Sequence, residues 1–229
     1  MHPPLLTDTK LQRLLAWLSP AFPVGAYTYS HALEAAVEAG VVTSADDLAQ
    51  WLDAVLCHGS GLADAVFLGE AWRLTVAGET TALAPLAERA VAFQPAAELR
   101  LETAQQGRAF LLAVGKAWPC PTLFGLEQVS PLPYPVVVGV ACAGHEIPLR
   151  WSTVAYLHAF AANLISAGVR LIPLGQSDGL AVLAGLEPTI THITDQALAS
   201  GIDDLASAVP MLDWYAMRHE TQYTRLFRS

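Results

Sequence analysis

Apolar residues recur at helical spacing along most of this chain, and the period-two alternation of half-buried strands is scarce. That pattern restricts the chain to a helical architecture before any single residue is considered. The clearest segment opens at Ser44, with Asp47 three residues on as a capping pair. Leu48, Trp51, Leu52, Val55 and Leu56 then form one apolar stripe, and Gly59 and Gly61 stop or break it. A second segment opens at Pro95, with Leu99, Gly107, Phe110, Leu111 and Val114 on one face and Glu98, Glu102, Gln105 and Gln106 on a polar stripe opposite. Gly107 predicts a close helix crossing, because it lets two backbones approach. Arg100 projects into the apolar arc, either snorkelling out from the first turn or pairing at an interface. The same reading places helices near 7–18, 31–40, 45–58, 62–77, 80–93, 96–117, 134–143, 152–170, 178–186, 189–208 and 211–219. The expected fold is all-α, a single helical-bundle domain of about ten helices over residues 1–217, with an irregular Pro-rich connection at 118–135.

Only 14% of the 229 residues are charged and 53% are hydrophobic, which leaves little surface for water and points to a homo-oligomer or an obligate complex. The net charge of -9 lacks the basic footprint of a nucleic-acid binder. Cys57, Cys120 and Cys142 form no CxxC pair, so neither a disulfide framework nor a zinc knuckle is indicated, and a reduced cytoplasmic setting fits. Met1-His-Pro-Pro4 has no signal-peptide character. The apolar run 154–169 falls short of the ~20 residues a membrane span requires, so no membrane partner is expected.

Between Leu14 and Leu33 there is no formal charge, yet Pro20, Pro23 and Gly25 forbid a continuous helix. A loop holding Phe22, Val24, Tyr27 and Tyr29 must be covered, by the core or by a partner. No two histidines have the spacing of a zinc helix, which leaves His2 and His31 as weak metal candidates and no tightly bound cofactor. No serine or cysteine has a visible base partner. Pro173-Leu-Gly-Gln-Ser-Asp-Gly179 lacks the Lys-Ser/Thr ending of a phosphate loop and reads as a corner between helices, capped by Ser177 or Asp178. The final segment, 218–229, holds Arg218, Arg225 and Arg228 among Tyr223, Leu226 and Phe227, the residue types that enrich interface centres. It is expected to be a tail that orders on binding a partner.

Four stretches together resemble the UreF family of urease accessory proteins: Leu18-Ser-Pro-Ala-Phe-Pro-Val-Gly-Ala-Tyr-Thr-Tyr-Ser-His-Ala-Leu-Glu34, Glu98-Leu-Arg100, Arg170-Leu-Ile-Pro-Leu-Gly-Gln-Ser-Asp-Gly179, and Met217 to Ser229. The chain departs from the family pattern at Thr28, Ala32 and Ala97, where Ser, Gly and Arg are more usual. The resemblance implies an all-α, commonly dimeric protein without enzymatic activity of its own. It also implies an adaptor between UreD (also called UreH), which binds urease, and the GTPase UreG, in a nickel- and GTP-dependent complex that matures apo-urease. On that reading Arg218, His219, Glu220, Tyr223, Arg225, Phe227 and Arg228 bind the urease-side partner. Tyr27, Tyr29, Arg100, Gln176, Ser177 and Asp178 serve GTPase docking or interface architecture. The alternative is a helical-bundle enzyme with a small-molecule pocket lined by Tyr27, Tyr29 and His31.

Overall fold

A computed structural model describes residues 5–206 and 209–229; they form an all-α fold with no strand among the described residues. Its axis is α4 (Ser60–Ala77), buried nearly all round, as an apolar helix without a polar face must be. One core lies on one side of α4, where Ala65 and Val66 join α2 (Leu33–Glu38), α3 (Ala45–His58), α9 (Leu149–Leu171), α10 (Gln176–Gly185), α11 (Glu187–Ala199) and α12 (Pro210–His219). On the other side Phe67, Leu68 and Ala71 join α1 (Asp8–Trp17), α5 (Leu83–Ala92), α6 (Ala97–Ala117), the short α7 (Pro121–Phe124) and α8 (Tyr134–Gly144). α8 packs most extensively on α4, and Gly139 makes that possible: a Cβ there would sit 2.4 Å from the Leu68 carbonyl oxygen. Residues 45–77 and 149–171 meet the length and hydropathy of a membrane span, but the first is two helices broken at Gly59 and 72% buried within the fold.

Ser44 caps α3 as expected, its hydroxyl accepting the Asp47 amide at 3.2 Å. Gly107 does mark a close approach, though to a chain segment rather than a helix: a Cβ there would lie 2.0 Å from the Leu132 carbonyl oxygen, just ahead of α8. Several boundaries differ from the sequence reading for identifiable reasons. α2 starts at Leu33 rather than 31, because His31 and Ala32 have φ of +54° and +68°. α11 ends at Ala199 instead of running to 208, since Ser200 turns extended ahead of Gly201. α6 starts at Ala97 and not at Pro95, its first amide bonded 2.8 Å from Glu220 Oε1. Inside the Pro-rich connection, Pro121–Phe124 forms a helical turn rather than irregular chain.

Candidate functional site

The segment 19–34 and the segment 218–229 meet on the N-terminal half of α6. The uncharged loop is therefore covered in part from within: Tyr29 is buried, its hydroxyl donating to Gln105 Oε1 at 2.6 Å, while Tyr27 stays exposed. Tail and loop pair through main chain, Arg228 N–H to Thr28 O at 2.8 Å and Ser30 N–H to Ser229 O at 3.0 Å, and the Ser30 hydroxyl also donates to Ser229 O. Phe227 is buried under the Arg170 guanidinium, whose carbon is 4.4 Å from the ring centre, while Arg170 Nη2 donates to Tyr27 O. A cation on an aromatic face in a half-dry setting contributes about 1 kcal/mol.

Carboxylates hold the rest of the tail. Glu34 of α2 accepts the amides of Leu226 at 2.6 Å and Phe227 at 3.0 Å. Glu98 of α6 accepts Arg225 Nη1 at 2.6 Å, and Glu102, one turn on, accepts the Ser229 hydroxyl at 2.6 Å. His219, fully buried at the end of α12, lies between two of these acids, with Nδ1 2.6 Å from Glu98 and Nε2 3.1 Å from Glu34. Behind them His31 bonds the Ser60 hydroxyl through Nε2 at 2.6 Å and turns Nδ1 toward Glu102 at 3.6 Å. Asp64 of α4 accepts the Tyr156 hydroxyl at 2.7 Å. Burial pushes the Asp64 carboxyl up to about 6, against the pull of Tyr156 and His31. Burial alone would lower His31, but the neighbouring Glu102 and Asp64 carboxylates more than reverse it and hold the imidazole above its usual range. Burial likewise holds the Tyr156 hydroxyl well above a free tyrosine.

The tail residues thus divide into two kinds. His219 and Phe227 are buried, the partly exposed Arg225 is tied down by Glu98, and Glu220 caps α6. Arg218, Tyr223 and Arg228 face solvent, with Leu226 and, on α12, Trp214 and Met217 also exposed. Arg228 also reaches over the Tyr29 ring, 5.9 Å from its centre. The sequence reading expected 218–229 to order on a partner; here the tail is already docked on its own chain, because Glu34, Glu98 and Glu102 supply the acceptors. The polar stripe of α6 is correspondingly not a solvent face, since Glu102 and Gln106 are buried.

Arg100 neither snorkels nor pairs with an acid; it donates to the Gln94 carbonyl at 2.8 Å, closing the turn ahead of α6. Gln176, Ser177 and Asp178 are exposed in the first turn of α10, where Asp178 reaches back to the Gly175 amide at 2.8 Å, and no hydrogen bond among the described residues joins them to the tail. His31 takes part in no cluster of three or more metal-ligating side chains among the described residues, and His2 lies outside those residues. A separate apolar cleft of about 800 Å³ runs between α1 and α9, lined by Leu11, Leu15, Tyr27, Trp151 and Val154, with Glu102 and Gln106 at its floor. Of the three residues assigned to an enzyme pocket, the cleft takes Tyr27 alone; Tyr29 and His31 are spent inside the tail network. The residues missed by sequence reading are Ser30, Asp64, the buried acids Glu34 and Glu102, and the half-buried Glu98. Glu98 and Glu102 carried a signal: two acids one turn apart with no Lys or Arg at helical spacing to answer them.

Comparison with known proteins points one way. Residues 42–187 match the UreF family model. Urease accessory protein UreF of Rhodopseudomonas palustris strain BisB5 is 52% identical over 97% of this chain and 92% of its own length. UreF of Bradyrhizobium diazoefficiens is 51% identical over 96% and 91%, and that of Granulibacter bethesdensis 49% over 97% and 95%.

Proposed function

The chain belongs to the UreF family of urease accessory proteins, with a part in urease maturation and no enzymatic activity of its own, and from that premise we propose that it works as an adaptor. In this reading it joins the urease-binding accessory protein UreD/UreH to the GTPase UreG in the cytoplasm. Nickel passes to apo-urease as cargo of the complex while the GTPase turns over. This chain holds no cofactor of its own.

One observation carries the reading. The docked tail presents Tyr223, fully exposed, beside Leu226 and the arginines 218 and 228, with Trp214 and Met217 of α12 half exposed. Aromatic and arginine side chains around an apolar centre make the kind of face on which a few residues dominate affinity. The inward set, Arg225, Phe227, His219 and Glu220, fixes the shape of that face. Gln176, Ser177 and Asp178, exposed on a different part of the surface, suit the GTPase. A second copy covers the α1–α9 cleft, whose rim exposes Leu11, Leu15, Tyr27 and Trp151.

The test is Tyr223→Ala combined with Leu226→Ala, since both side chains are exposed and their loss leaves the fold intact. Binding to UreD/UreH should fall by tenfold or more, equivalent to about 1.4 kcal/mol. Wild-type affinity in a variant with unchanged circular dichroism would reject the tail as the partner face.

A further inference from the structure

The acceptors that hold residues 225–229 from the body are mostly carboxylate oxygens, and a carboxylate can only accept. The donors opposite them therefore decide whether the cluster closes. His219 has acceptors at both ring nitrogens, 2.6 Å to Glu98 and 3.1 Å to Glu34. A neutral imidazole has one N–H, so a closed clamp carries one more proton than neutral histidine and two ionised acids supply. His31 lies one layer deeper, where the Ser60 hydroxyl can donate as well as accept. Its Nε2 is engaged by Ser60, and its buried Nδ1, with no hydrogen-bond partner, points to Glu102 at 3.6 Å.

We infer that this buried acid–imidazole cluster is a proton-dependent latch, docking residues 225–229 while the cluster holds the proton that closes it and releasing them as that proton leaves. The inference rests on the reading of the tail as partner face and adds what governs whether that face is in place.

Carboxylates surround the two imidazoles on most sides. α2 contributes Glu34, α6 Glu98 and Glu102, α4 Asp64, and the tail brings Arg225 and, over the Tyr29 ring, Arg228 to offset them. Tyr156 of α9 donates to Asp64, Ser60 bonds His31, and the Phe160 ring meets His31 edge-on. Glu220 turns away to the α6 amide. His31 is held above its ordinary value, so its contribution to docking is complete below pH ~6.5 and is lost as pH climbs through the raised value. Acid closes the latch and alkali opens it.

Hydrogen exchange at the Leu226 and Phe227 amides, both bonded to Glu34, reads docking directly in the full chain. After division by the intrinsic chemical rate at each pH, their protection should fall as pH rises above ~6.5, by up to tenfold per pH unit for each proton released. Core amides such as Leu68 and Val138 should hold theirs. His219→Gln should lower tail protection at pH 6 and flatten its pH dependence, and Glu98→Gln should move the midpoint down, giving a second route if His219→Gln folds poorly. Flat protection in the native chain, or a native slope surviving in both His219→Gln and His31→Gln, would overturn the latch. UreD/UreH binding measured at the same pH values separates the two ideas: tail release without loss of affinity would reject the partner face and leave the latch standing.

Discussion

Alanine at Gly107 and alanine at Gly115 add the same methyl group to the same helix, α6, and should move stability in opposite directions. At Gly107 the new Cβ lies 2.0 Å from the Leu132 carbonyl oxygen and 2.9 Å from the Pro133 carbonyl carbon, both backbone. The chain entering α8 would have to retreat by about 1 Å, an overpacking cost of about 3 kcal/mol because no side-chain rotamer can relieve it. Alanine's better helix propensity returns about 1 kcal/mol, leaving a net loss of about 2 kcal/mol. At Gly115 nothing lies within 4 Å, so only the propensity gain remains, about 0.5–1 kcal/mol near the helix end. For a chain of this length 1 kcal/mol moves Tm by roughly 2–4 °C. Gly107→Ala should therefore melt about 4–8 °C lower and Gly115→Ala about 1–4 °C higher, followed by circular dichroism at 222 nm. If Gly107→Ala matched the native protein, or both variants fell together, the close approach of α6 to the 132–133 segment would not be what glycine serves there.

Three further outcomes follow from buried groups. His145 accepts from Arg13 through Nδ1 at 2.9 Å and bonds Trp118 O through Nε2 at 3.0 Å, and burial and Arg13 together hold its imidazole below the usual range. A lowered histidine stabilises above pH ~6.5 and loses that as pH falls, so protection of α1 amides, corrected for the intrinsic exchange rate, should drop from pH 7 to pH 5.5, less so in Arg13→Ala, where the repelling charge is gone. Tyr156→Phe removes the hydroxyl bonded to buried Asp64 and should cost about 1.5–3 kcal/mol by urea titration, more at pH 8 than at pH 5, because ionised Asp64 then lacks its donor. Ala32→Gly should be within about 1 kcal/mol of neutral: relief of the +68° φ is offset by glycine's unfolded-state entropy and the loss of a fully buried methyl group.

The helices were legible because amphipathic period and capping act over a few residues, as Ser44 and the stripe from Leu48 to Leu56 illustrate. The tail was legible as unusual, since arginine and aromatic residues alternate in an otherwise acidic chain. Its location was not. Glu98 and Glu102 read only as a polar stripe, because local periodicity cannot distinguish water from a polar partner more than 120 residues away. Pro95 misled for the same reason, the true first-turn acceptor of α6 being Glu220.

Glu34 and the amides it holds are 192 and 193 residues apart in sequence, and Ser30 and Ser229 are 199 apart. Closing so long a loop carries an entropic cost that only an otherwise assembled body can offset. During synthesis Glu34 leaves the ribosome long before its partners exist, and α2 must wait with its acid unanswered. The junction of loop and tail is thus a late folding event, and the outward face at Tyr223 and Leu226 takes shape only once the intervening helices are in place. A partner that recognises this face would in effect recognise chains whose intervening helices are already assembled, passing over misassembled ones without any separate inspection.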